Sequence, residues 1–213
     1  MSTLADLRRD YASRALTEDA AHADPIQQFS AWFEEALNAQ LIDVNAMTLA
    51  TASPTGEPAA RIVLLKGADE SGFVFYTNYD SAKGRDLIAN SRACLLFFWA
   101  ELERQVRITG AVTRTTTAES DEYFHSRPFE SQIGATASRQ SRPVANRAEL
   151  EARYTELVEK HRGSVVPLPS NWGGYRVIPD TIEFWQGRTS RLHDRLLYSH
   201  QSDGSWSRSR LEP

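Results

Sequence analysis

A chain of 213 residues, 41% hydrophobic and 24% charged, has the length and composition of one globular domain with a substantial core. It contains no run of 18 apolar residues to cross a bilayer, and the opening MSTLADLRRDY lacks the apolar stretch of a secretion signal, so a cytoplasmic location is expected. A net charge of −4 and a pI near 5.8 argue against a surface for duplex nucleic acid, and the single cysteine, Cys94, excludes an internal disulfide.

Leu4, Leu7 and Tyr11 recur at helical spacing and predict a short helix carrying Arg8 and Arg9. Asp24-Pro25 then reads as an N-cap followed by a first-turn proline. Ile26, Phe29, Trp32, Phe33, Ala36, Leu37 and Leu41 supply the apolar face of the helix behind it, to about residue 41. The period then shortens to two. Strands are expected at 46–52, 59–66, 72–78, 93–100 and 104–116, with SPTGEP and ADESG as loops between them. Cys94, in the apolar run ACLLFFW, reads as a buried structural thiol.

DSAKGRDLIAN reads as a short helix between the third and fourth strands, DEYFHSR as another, and 148–162 as a longer one, capped by Asn146 with Glu149 and ended by Gly163. After the loop VVPLPSNWGG, strands resume as YRVIP, TIEFWQG, RLLYSH and WSRSRL. Strands in hairpin succession, without strand-helix-strand alternation, indicate an antiparallel barrel with peripheral helices. The expected organisation is an N-terminal helical segment over 1–23 and a single domain over 24–213.

The chain has no glycine-rich dinucleotide turn, P-loop, HExxH pair, cysteine at zinc spacing or GxSxG elbow. Metal and serine hydrolysis are therefore disfavoured, and no metal is expected. What remains is a set of cationic and hydroxyl clusters. Arg61 and Lys66 stand at the two ends of RIVLLK, on opposite faces if the strand is regular. Tyr76, Thr77, Ser81 and Lys83 surround a helix start, which suits a phosphate dianion or serves as an ordinary capping turn. Tyr123, Arg127 and Ser131 recur every four residues; on one helix they share a face, which suits a second phosphate or forms a solvated surface. Gln140 and Ser141 lie in the loop SRQSRP. In EFWQGRTSRLHDR, alternation puts His193 and Arg195 on one face, with Trp185 able to meet a ring and Arg191 and Arg195 able to compensate negative charge. A charged surface strand explains that stretch equally. Together the clusters suggest ligands with two phosphates and two aromatic systems.

The series RIVLLK, FYTNYDSAKG, ERQVRITG, YFHSRP, SQIGA, QSRP, WGGYRV, EFWQGRTSRLHDR and terminal RLEP resembles the pyridoxine/pyridoxamine 5′-phosphate oxidase family, in order and from about residue 7 onward. The resemblance implies a mainly β, antiparallel FMN-binding split β-barrel with peripheral α-helices, forming a homodimer with FMN at the subunit interface. It implies oxidation of pyridoxine or pyridoxamine 5′-phosphate by O2 to pyridoxal 5′-phosphate, in vitamin B6 biosynthesis and salvage, with H2O2 released and ammonia from the amine. Arg61 and Lys83 resemble ligands of the FMN phosphate, with Tyr76, Thr77, Ser81 and Ala82 around the same site. Ile62, Val63, Leu64, Leu65 and Lys66 would run along the flavin. Gln105, Gln140, Ser141, Trp185 and Arg195 would reach it, some from the partner subunit.

Lys66, Tyr123, Arg127 and Ser131 resemble a clamp on the substrate phosphate. Arg191 and His193 would stand at the reacting end, Arg8 and Tyr11 on a segment that closes over the site, and Asp43 at a proton-handling position. Two departures stand out: Ala82 where the family often has arginine, and Val44 where proline often follows the aspartate. The alternatives are another split-barrel flavin oxidoreductase and a non-catalytic carrier of pyridoxal phosphate or FMN.

Overall fold

The structure, a computed structural model, describes residues 14–213. The expected helix over residues 4–11, with Arg8 and Tyr11, lies outside the described residues. The first described helix, α1 (Pro25–Asn38), begins where Asp24 accepts a hydrogen bond from the Ile26 amide at 2.8 Å and Pro25 occupies the first turn. It buries Phe29 and Trp32, which meet Phe73 and Phe184 edge-on at centroid distances of 5.0 and 5.3 Å.

The strands are β1 (Ala46–Ala52), β2 (Pro58–Leu64), β3 (Gly67–Asp69), β4 (Gly72–Asn78), β5 (Arg92–Trp99), β6 (Arg104–Arg114), β7 (Trp172–Gln186), β8 (Asp194–His200) and β9 (Trp206–Arg210). They form one antiparallel sheet in the order β2-β1-β5-β6-β7-β4-β3, with β8 and β9 continuing from the second half of β7. The sheet curls into the expected half-barrel, and the chain leaving β2 bonds back to β4 through the Lys66 amide and the Val74 carbonyl at 2.8 Å. Period-two alternation sends Met47, Leu49, Leu95, Phe97, Val106, Ile108, Ile182, Phe184, Leu196 and Tyr198 inward, all fully buried. Each such side chain contributes roughly 1.5–3 kcal/mol by leaving water.

Helices α2 (Ala82–Ala89), α3 (Thr117–Ser126), α4 (Phe129–Ala137) and α5 (Arg147–His161) lie around the sheet. A second core, Phe124, Ile133, Val166 and Trp172, forms beneath the last three.

Four local expectations are corrected. ADESG is not all loop, because Gly67–Asp69 pairs with β4 as β3. YRVIP and TIEFWQG are one strand, since β6 runs alongside both, and the register shift that skips Asp180 is absorbed as a bulge. DEYFHSR belongs to a longer helix, α3, opened by a reciprocal capping box of Thr116 and Glu119. Cys94 is half-buried rather than buried: it sits on the outer face, level with Ala50 and Thr109.

Candidate functional site

Between edge strand β2, the end of β4 and helices α3 and α4 lies a cavity of about 600 Å³. One end is cationic and belongs to α2. Ser81 caps that helix by accepting from the Gly84 amide at 3.2 Å, so the α2 N-terminus begins beside Lys83. Lys83 Nζ donates to Gln140 Oε1 at 2.9 Å and to Thr77 Oγ1 at 3.3 Å, which draws the 138–142 loop onto β4. Burial, then the neighbouring Arg61 charge, push the Lys83 ammonium below its ordinary range. Arg61 itself donates to Thr51 Oγ1 at 2.7 Å and stands 3.8 Å from Asp86 of α2. Ala82 adds no charge at the first position of α2.

The other end is aromatic. Tyr76 stacks on Tyr123 at 4.0 Å and on Trp172 at 5.6 Å, the rings within 20° of parallel. Lys66 Nζ stands 5.8 Å from the Tyr123 ring, and the Arg127 guanidinium lies 4.9 Å from Trp172. Arg127 Nη2 donates to the Ser131 carbonyl at 2.8 Å, while its Nη1 is buried with no acceptor among the described residues. A buried guanidinium nitrogen without an acceptor calls for an anion. Burial lowers the Arg127 pKa and raises that of Tyr76.

Tyr123, Arg127 and Ser131 do not share one helix face. Arg127 ends α3, and Pro128 separates it from α4, because proline supplies no amide to continue the ladder. The three still line one cavity because the chain turns there and α4 folds back. The opposite-face reading of Arg61 and Lys66 also fails in its premise: β2 ends at Leu64, and Lys66 lies beyond it.

Ile62, Val63 and Leu64 line the same cavity. Leu65 turns into the core, with its amide and carbonyl both engaged by Asn45. Ser141 sits at the exposed tip of the 138–142 loop with φ of 66°. Asp43, at φ of 50° and exposed, lies in the α1–β1 turn on a neighbouring groove that shares Lys66. Val44 packs into the core, and its carbonyl accepts from Trp99 Nε1 at 3.1 Å.

A second group lies away from the cavity, on the outer sheet face and the turn after it. Gln105, Trp185 and Arg195 are directly opposite one another across β6, β7 and β8. His193 packs on Trp185 at 4.7 Å and accepts from the Arg188 amide through Nδ1 at 3.1 Å. Desolvation, then Arg191, lower its pKa. Arg191 is exposed at φ of 62°. None of these five lines the cavity of their own chain.

Sequence reasoning did not single out Trp172 or Asn78, which also line it. The signal for Trp172 was the WGG triplet. A Cβ on Gly173 would stand 2.1 Å from Tyr79 Oη and 2.8 Å from Ser120 Oγ, so glycine there leaves room for those two side chains next to Trp172, which lies under Arg127.

Fold and cavity together define a split β-barrel protein whose cavity is cationic at one end and aromatic at the other. The same fold occurs in an FMN-binding protein from Nostoc punctiforme at a TM-score of 0.71 and 18% identity, over 89% of this chain and 98% of that one. PhzG from Burkholderia lata, solved with tetrahydrophenazine-1-carboxylic acid, matches at a TM-score of 0.89 and 30% identity, over 95% and 99%. The pyridoxamine 5′-phosphate oxidase family model matches residues 33–161, and the model of the pyridoxine 5′-phosphate oxidase C-terminal dimerisation region matches residues 172–213. The chain is 60% identical to a pyridoxine/pyridoxamine 5′-phosphate oxidase of Rubrobacter xylanophilus, over 99% of this chain and 96% of that protein. It is 58% identical to one of Bordetella petrii, over 99% and 100%. The chain belongs to the pyridoxamine 5′-phosphate oxidase family.

Proposed function

We propose that this chain is an FMN-dependent oxidase converting pyridoxamine or pyridoxine 5′-phosphate to pyridoxal 5′-phosphate, with O2 as acceptor, H2O2 as product and ammonia released from the amine. The observation that carries the reading is the unpartnered, buried Arg127 Nη1 beside Lys66 and the Tyr76–Tyr123–Trp172 stack, in the same cavity as Lys83 and Thr77. Lys83 at the α2 end of the cavity, and Lys66 and Arg127 beside the aromatic rings at the other, match two phosphorylated ligands.

In this reading Lys83, Arg61 and Thr77, with the α2 N-terminus, hold the FMN phosphate, and Lys66, Tyr123, Arg127 and Ser131 hold the substrate phosphate. FMN held there would supply the hydride acceptor and the redox link to O2. The residues off the cavity come from a second copy. Gln105, Trp185 and Arg195 would border the partner's flavin, Arg191 and His193 would orient the reacting carbon, and Asp43 would exchange protons at the rim. This homodimer is supported by the match of residues 172–213 to a dimerisation region and by the exposure of Ile62 and Phe98 on the outer face, 64% and 56%. Among the described residues no helix is long and apolar enough to cross a membrane, and we place the enzyme in the cytoplasm.

The test is aerobic turnover of purified protein with FMN and pyridoxamine 5′-phosphate, following pyridoxal phosphate and peroxide together. Equal, FMN-dependent formation of both is expected. Bound flavin with neither product would redirect the assignment to another split-barrel oxidoreductase, and absence of flavin binding to a carrier.

A further inference from the structure

The outer sheet face holds a carboxylate that the reaction outlined above does not use. Glu183 is 3% exposed although it lies on the face opposite the core. Arg107 stands directly across from it on β6 and bonds its Oε2 through Nη2. From β8, two residues along from the Leu197 that pairs with Glu183, Arg195 Nε donates to Glu183 Oε1 at 2.9 Å. Arg195 is held at a second point, where Nη1 donates to the Glu212 carbonyl at 2.8 Å. Its guanidinium is therefore immobilised on two sides, directly across from Trp185. A carboxylate this buried is retained only with its charge compensated. Two guanidiniums against one carboxylate leave the triad at a net +1.

We propose that Glu183 is a positioning residue that fixes Arg195 against the flavin and, with Arg107, sets the electrostatic charge felt there, and so the reduction potential of the bound cofactor. The inference rests on the reading that the flavin lies along Gln105, Trp185 and Arg195. Reduction adds negative charge to a flavin, so a more positive surrounding favours the reduced form and a less positive one the oxidised form. Glu183→Gln raises the triad charge by one and Arg107→Met lowers it by one, and neither replaces a residue assigned to touch the ligand.

The experiment is spectroelectrochemical titration of FMN bound to wild type and to each variant, with FMN dissociation constants measured in parallel. The expected result is a potential shifted positive in Glu183→Gln and negative in Arg107→Met. Glu183→Gln should also bind FMN several-fold more weakly, because Arg195 exchanges a charge-assisted anchor for a weaker neutral one. A purely structural triad gives no shift, or shifts of one sign, and that result overturns the proposal. The Arg107 side chain is 46% exposed, so Arg107→Met decides the matter alone if Glu183→Gln does not fold. Failure of the wild type to bind flavin would instead overturn the underlying functional reading.

Discussion

The Arg188 amide donates to His193 Nδ1 at 3.1 Å, and a backbone N–H can only donate, so the neutral imidazole carries its proton on Nε2. Protonating Nδ1 would break this bond. The same direction follows from desolvation and the nearby Arg191 charge, which hold the ring's pKa below its ordinary value of 6.5. Nitrogen NMR of the neutral protein should therefore show the Nε2–H tautomer.

A stability prediction follows from the same depression. The unfolded chain binds the proton more readily than the folded one, so stability contributed by neutral His193 is present above pH 6.5 and declines as pH falls through and below it. Thermal melts between pH 5 and 8 should show a shallower acid loss for His193→Gln than for wild type. Equal slopes would remove His193 from the acid response.

Arg127 should couple phosphate binding to stability. Pyridoxal 5′-phosphate at 100 times its dissociation constant stabilises the folded state by about 2.7 kcal/mol, on the order of 5–10 °C for a domain of this size. Arg127→Met removes a charge-assisted contact worth roughly 1.5–3 kcal/mol and should weaken that ligand by ~10- to 150-fold. A thermal-shift titration that finds the same midpoint in both proteins would exclude Arg127 from the phosphate site.

At the α2 end, Lys83→Met should weaken FMN by a comparable factor, because it removes the ammonium that meets Thr77 and Gln140. Ala82→Arg, which supplies the guanidinium absent from this chain, should tighten FMN by ~10-fold or more. Flavin-fluorescence quenching measures both, and opposite signs are the expected pattern.

Gly173, at the start of β7, and Gly134, in α4, give a stability contrast free of any ligand. Gly173→Ala places a Cβ 2.1 Å from Tyr79 Oη and 2.8 Å from Ser120 Oγ, and should destabilise the fold by about 1–3 kcal/mol. Gly134→Ala in α4 meets nothing within 4 Å and should be neutral or stabilise by ~0.5–1 kcal/mol, the helix-propensity difference. Chemical denaturation of the two variants beside wild type checks both signs.

Features set by neighbours in the chain were legible from the sequence. Asp24-Pro25 and Asn146 with Glu149 start helices because a side-chain oxygen two or three residues away meets a free amide. The alternation in AMTLATA marks β1 because side chains on an extended chain change face at every residue. Lys83, Thr77, Lys66 and Arg127 stood out as candidate anion ligands because of their residue types and their places near strand and helix ends.

The tertiary structure decided what depends on partners far along the chain. Lys83 meets Gln140 across 57 positions, and Trp172 of β7 lies 4.9 Å from the Arg127 guanidinium, whose Nη1 is buried without an acceptor among the described residues. Pro128 was visible as a break, yet only the return of α4 brings Ser131 back to Arg127. Register decided the rest. Gln105, Trp185 and Arg195 align, and Glu183 falls between two arginines, because hydrogen-bonded pairing across three strands assigns opposite neighbours that no local spacing encodes.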